Sequence, residues 1–180
     1  MRQFFTAPPL ALMSEAVIAG NSPAVIWMDS ESEPRTAFLW DKTHCLYLAG
    51  DADNKATNRA LRELITEEIL HNLRQLGIFK VYYSSTEWEH HISDIFQRVS
   101  LTLRERSLLT LEQFNAYDWR ARVPEGFSVR HIDVLLLANQ SLKNVQSVTA
   151  EIESCWPSLL HFFRRGFGFC LLLGSDEIVC

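Results

Sequence analysis

Two rhythms of apolar positions run along this chain. The clearer is a helical one over residues 55–76, where Leu61, Leu64, Ile65, Ile69, Leu73 and Leu76 recur at three- and four-residue steps as one stripe. Arg59, Arg62, Glu63, Glu67 and Glu68 fall largely off that stripe, and Gly77 follows as a stop. Burying such side chains stabilises by roughly 1.5–3 kcal/mol each before entropy is charged against it, so this helix is expected to lie on a sheet. The second rhythm is short and strand-like, in runs at 24–28, 36–40 and 45–48. An acidic, proline-containing loop joins the first two runs, and the joint at 41–44 is short enough for a hairpin. Ahead of them, residues 10–19 predict a helix behind Pro8-Pro9, closed by Gly20-Asn21.

Past the long helix, residues 78–83 are rich in β-branched and aromatic side chains and predict a strand. Ser85 or Thr86 then caps a helix running to Gln97, with Glu89 placed as in a capping box. Residues 100–109 alternate as one more strand. A joint follows at 113–124, and the aromatic Phe114, Tyr117 and Trp119 of this region are expected to pack it down. Residues 126–131 predict a strand, and 133–139 and 145–154 two helices.

The last 27 residues carry the densest signal. Pro157 sits where a first helical turn tolerates it, with Ser154 and Ser158 as candidate capping oxygens. A short helix at 159–163 places Leu159, Phe162 and Phe163 on one side. Arg164 and Arg165 suit its last turn, and Gly166 its C′ position. Residues 167–173 read as a strand between two covered faces, 174–176 as a tight turn, and 177–180 as the start of a returning strand. That strand has no room to finish before residue 180, so the sequence is expected to break off within a hairpin.

This stretch resembles the GNAT acyltransferases, specifically a zwittermicin-resistance-like branch with a long N-terminal extension. There a Cys-Trp-x-Ser segment leads through a helix into Gly-Phe-Gly-Phe-Cys and a Gly-x-Glu-Ile-Val hairpin. The matching residues are Cys155, Trp156, Ser158, Gly166, Phe167, Gly168, Phe169, Cys170, Glu177, Ile178 and Val179. The likeness extends upstream through residues 48–54 and 119–127. It implies an α/β (α+β mixed-sheet) fold. A three-strand meander, long helix, strand, helix and strand is the family's element order, which makes residues 1–112 a degenerate GNAT-like half. A packed connector at 113–124 and the beginning of a second, catalytic GNAT domain at 125–180 would follow. No repeated sequence is visible, and a less specific mixed α/β domain is the alternative.

Composition adds little to this and excludes more. Hydrophobic content of 47% and charged content of 22% are ordinary for a soluble globular protein. A formal net charge of −5, with no dense Lys/Arg stripe, argues against a nucleic-acid surface. No apolar run reaches the length of a membrane span, and prolines interrupt the N-terminus before any signal-peptide core. Cys45, Cys155, Cys170 and Cys180 lack paired close spacing, so reduced thiols in a cytoplasm are expected, with Cys45, Cys155 and Cys170 in the core. The spacing offers no zinc site.

The resemblance implies acetyl-CoA as co-substrate, held at a strand-to-helix junction by a loop of the form Arg/Gln-x-x-Gly-x-Gly/Ala. In that loop bare amides meet the pyrophosphate at a helix N-terminus. Phe163-Arg-Arg-Gly-Phe-Gly168 has the glycine spacing, but Phe stands first and an apolar strand follows where a helix is required. Gly166 and Gly168 read better as a helix stop and a close-packing strand position. At the second candidate, residues 48–55, the architecture is right and the chemistry is wrong. Only Gly50 is glycine, and Asp51 and Asp53 set negative charge where a pyrophosphate would lie. Asp53 or Asn54 reads as a structural cap.

The chain alone is therefore not expected to bind acetyl-CoA tightly, and no catalytic, cofactor-binding or metal residue is assigned. The implied mechanism is direct attack of a small-molecule amine on the thioester, with an oxyanion-stabilising amide beyond Cys180. The amine would meet Trp156, Phe167, Phe169 and Glu177, each of which also reads as core packing. Adjacent His90 and His91 diverge by about 100° on a helix and read as surface residues. Trp88 and Phe96 read as packing. A different class of function is a non-catalytic interaction module pairing another chain along an exposed sheet edge.

Overall fold

A computed structural model describes residues 2–70, 79–97, 99–105, 107, 109 and 118–180. It divides into two compact units, Met1–Leu108 and Leu109–Cys180. Both are mixtures of helix and sheet, and the first contains a mixed sheet. Among the described residues, no helix is long and apolar enough to cross a membrane.

The first unit opens with α1 (Pro8–Ile18), which starts on its prolines as the missing N–H groups allow. Gly20, at φ +70, closes it by donating to the Val17 carbonyl while Asn21 donates to that of Ala16. Strands β1 (Val25–Met28), β2 (Thr36–Trp40) and β3 (Cys45–Gly50) form an antiparallel meander. Helix α2 (Lys55–Leu64) continues into a wide π-helical turn, Ile65–Ile69. The chain returns as β4 (Lys80–Tyr83), parallel to β3, with Cys45 opposite Lys80 and Leu48 opposite Tyr83. A 3-10 turn at Thr86–Trp88 leads into α3 (Glu89–Ile95). The sheet order is β1-β2-β3-β4.

Alternation along β2 and β3 sends side chains to two cores. Ala37, Leu39, Tyr47 and Ala49 meet Phe5 and Leu10 on the α1 side. Phe38, Trp40, Leu46 and Leu48 meet Leu61, Ile65, Ile69, Trp88, Ile95 and Phe96 on the other. The expected packing roles of Trp88 and Phe96 are thus observed. Every residue of β2 is buried, as a strand covered on both faces requires.

The second unit begins with a 3-10 turn, Trp119–Arg122, followed by β5 (Phe127–His131). Helix α4 (Val134–Ala138) is capped by the Asp133 carboxylate, which accepts from the Leu136 amide at 2.8 Å. Helices α5 (Val145–Cys155) and α6 (Leu159–Arg165) precede β6 (Phe169–Leu173) and β7 (Glu177–Ile178). The sheet is antiparallel in the order β5-β6-β7, with Gly174 at φ +62 in the last turn. Cys170, Leu172 and Ile178 join Ile132, Leu136, Leu137, Val145, Ile152 and Phe162 in its core.

Several local expectations need correction. No strand forms at 101–105, where Leu101 and Leu103 are exposed. Thr86 and Glu89 make no capping box, because the Glu89 carboxylate accepts from the Tyr83 hydroxyl at 2.9 Å. Trp119 is not packed down but 42% exposed, with the Arg120 guanidinium 4.5 Å from its ring centroid. Cys155 is exposed, while Cys170 is buried and Cys45 half-buried. Burial, then the Asp41 carboxylate, pushes the Cys45 thiol up to about 11. Residues 71–78 and 110–117 lie outside the described part, with the ends expected there for the long helix and Phe114 and Tyr117.

Candidate functional site

The strand-to-helix junction at the end of β3 is the part of the first unit whose architecture suits a phosphate. Its geometry is closed. Gly50, at φ +90, lies so near the preceding loop that a Cβ would come within 2.0 Å of the Arg35 carbonyl oxygen. The next amide, of Asp51, donates to that same oxygen at 2.9 Å. The Asp51 carboxylate accepts from the Asp53 amide at 3.0 Å and lies 3.6 Å from the Arg35 guanidinium. Asn54 caps α2, its Oδ1 accepting from the Thr57 amide at 3.2 Å. Three amides of this junction, those of Asp51, Asp53 and Thr57, are therefore committed within the protein.

A second layer holds the cap. The Asn54 side-chain amide donates to Asp29 at 2.8 Å, and Asp29 also accepts from the Arg35 and Thr36 amides. Burial opposes its charged form, yet the Thr36 and Arg35 amides hold its carboxyl below the usual range. The Thr36 hydroxyl, fully buried, donates to the Asp51 carbonyl, and Asn58 donates to that of Ala52 at 2.7 Å. His91 of α3 meets the Asp53 carboxylate at 2.9 Å. His91 is thus half-buried and partnered, unlike His90, which is exposed.

Asp29, Asp51 and Asp53 concentrate negative charge around the start of α2. Carboxylates there satisfy the helix dipole and oppose a phosphate. The junction does not fit acetyl-CoA. Asp29, Thr36 and Asn58 were not singled out by the sequence, and His91 was read as a surface residue, because the links of Asn54 to Asp29 and of His91 to Asp53 join positions far apart in the chain. Asn54 was singled out, through its cap position.

The four residues expected at the acceptor separate in the structure. Trp156 is half-buried against Phe162, centroids 5.6 Å apart and edge-on. Its ring lies over Gly166, where a Cβ would come within 2.7 Å of it. That contact, and not a left-handed C′ turn, is why glycine stands there, since Gly166 is extended. Gly168 is also tight, though less so: a Cβ there would come within 3.1 Å of the Ile132 side chain. The Ser158 hydroxyl caps α6 by accepting from the His161 amide, whereas Ser154 donates to the Glu151 carbonyl.

Phe167 and Phe169 stand at 79% and 62% exposure, in edge-on contact. His131 meets Phe169 from the neighbouring strand, with centroids 5.4 Å apart. Register puts Phe127, Val129 and His131 opposite Leu173, Leu171 and Phe169, so these six share the sheet face turned away from Cys170 and Leu172. Glu177, opposite Leu173, shares that face at its other end, with its carboxylate 3.8 Å from the Lys143 ammonium. β6 is therefore covered on one face only among the described residues, which corrects the expectation of two. Phe169 and Glu177 line the open face about 13 Å apart at roughly 3.3 Å per residue, and Trp156 lies with the core on the other side.

Comparison with known proteins bears on both units. The family model described as GNAT acetyltransferase matches residues 3–180. The chain is 22% identical over 163 residues to the uncharacterized N-acetyltransferase YdfB of Bacillus subtilis (strain 168), covering 91% of this chain and 59% of that one. It superposes on a GCN5-related N-acetyltransferase-like protein from Streptococcus suis 89/1591 with a TM-score of 0.50 and 15% identity, over 87% of this chain and 57% of that one. The chain thus spans less than two thirds of the length of either relative.

Proposed function

This chain belongs to the GNAT acetyltransferase family, and from that premise we propose that it forms the N-terminal scaffold of an acetyl-CoA-dependent N-acetyltransferase of the zwittermicin-resistance-like branch, acting on a small-molecule amine. The first unit is read as a degenerate GNAT copy and the second as the start of the catalytic one. Support comes from the meander, helix, parallel strand and helix of the former, and from the strand, helices and hairpin of the latter.

The observation that carries the proposal is the self-occupied N-terminus of α2. The Asp51 and Asn54 side chains take the Asp53 and Thr57 amides, the Arg35 carbonyl takes that of Asp51, and carboxylates stand where a pyrophosphate would have to lie. The donor is then gripped by residues other than these 180. For the acceptor, Phe167 and Phe169 offer aromatic faces to a cationic amine, and Glu177 a carboxylate to the far end of an extended one. Trp156 acts behind them, fixing the backbone at Gly166.

Isothermal titration of the 180-residue protein with acetyl-CoA tests this. The expected result is no binding within the range of about 1 μM–1 mM common for enzyme substrates. Micromolar binding that survives removal of the Asn54 cap by Asn54→Ala would overturn it.

A second reading, an interaction module pairing along its sheet edge, is favoured by the exposed Phe167, Phe169, Leu173 and Val179 beside the short β7.

A further inference from the structure

The first unit holds a cavity of about 100 Å³ where the wide turn of α2 faces the end of α3. Ile65, Leu70, Ile95, Phe96 and Val99 give it apolar walls, and Arg62 stands among them. The Arg62 Nε is buried and has no hydrogen-bond partner among the described residues. Among the described residues no carboxylate pairs with this guanidinium, and the adjacent Glu63 is held by Arg59 at 3.2 Å. The Thr66 hydroxyl spends its proton on the Arg62 carbonyl at 2.8 Å and is not a partner of the Arg62 Nε.

A buried N–H donor without a partner is costly and rare, and the few exceptions call for an explanation. The interrupted helix sharpens that demand, since π-helical turns concentrate at functional sites. Here the turn sets Ile65, Thr66 and Leu70 around the opening.

We propose that this cavity is a binding site for a small aliphatic carboxylate, its charge on Arg62 and its tail among the apolar walls. Size limits the ligand. An engineered cavity of about 150 Å³ in another protein takes benzene, so this smaller one suits about three to five heavy atoms, the range of acetate and propionate. Chemistry limits it further. One guanidinium beside Thr66 and Gln97 suits a monoanion, and the five apolar side chains give a short tail packing that a phosphate cannot use. The site is independent of where the acetyl donor binds.

Propionate is the probe, titrated into the 180-residue protein at constant ionic strength and followed by amide chemical shifts and thermal unfolding. Inorganic phosphate supplies charge without a tail, and 1-propanol a tail without charge. The expected result is saturable propionate binding on the order of millimolar, with shifts at Ile65, Leu70 and Val99, and neither control matching it. Arg62→Met should weaken binding about tenfold or more yet leave the unliganded protein at least as heat-stable, because an unpaired buried donor is removed. Val99→Phe, which fills the space and keeps the cation, should abolish binding. Absent saturation, equal binding of phosphate or 1-propanol, or unchanged affinity in either variant overturns the proposal.

Discussion

The two sheets of this protein are built from similar strands and finished differently. In the first, β2 and β3 are covered by α1 on one side and by α2 and α3 on the other, and all of Thr36–Trp40 is buried. In the second, the helical cover lies against Cys170, Leu172 and Ile178, and Phe169 and Leu173 stay open on the opposite side. Stability and recognition are thereby separated. A doubly covered strand makes every side chain a packing element, whereas a singly covered one leaves a row free to meet something else.

The largest test of that contrast is Trp88→Ala. Its side chain is fully buried and packs edge-on against Phe38, so truncation should cost about 3–5 kcal/mol in denaturant unfolding. A much smaller loss would mean that the α3 side of the first sheet is loosely closed. Next comes Gly50→Ala. The added methyl meets a backbone oxygen, not a flexible side chain, at a positive φ. Strain and clash together should destabilise by about 1–3 kcal/mol, and retention of full stability would show that the β3–α2 junction is not closed on Arg35. The smallest effect belongs to Phe169→Ser on the open face, expected within about 0.5 kcal/mol of the parent. A loss as large as that of Trp88→Ala would reveal a cover over β6 and erase the difference between the sheets.

Much of this architecture was legible in residue order. The meander, α2, the Ser158 cap and a first helix beside Pro8-Pro9 follow from periodicity and local chemistry, which act within a few residues. The number of covered faces was not. The run Phe169–Leu173 is no less apolar than Thr36–Trp40, yet the latter is enclosed and the former half open, because cover depends on where distant helices pack. Site legibility divided the same way. Asp51, Asp53 and Asn54 announced a junction hostile to phosphate, but the links of Asn54 to Asp29 and of Asp53 to His91 cross long stretches of chain. Gly166 misled for a related reason. A glycine after a helix suggests a left-handed cap, and the Trp156 ring that excludes a Cβ there comes from the segment ahead of α6.

The parallel pairing of β4 with β3 carries a consequence for the order of assembly. The β1–β2 and β2–β3 hairpins close through short connections and pay little loop entropy. β4 finds its partner only after the whole helical crossover has been laid down. A nascent chain must therefore expose one flank of β3 until that crossover docks, which makes Cys45–Gly50 the stretch through which a stalled molecule would aggregate.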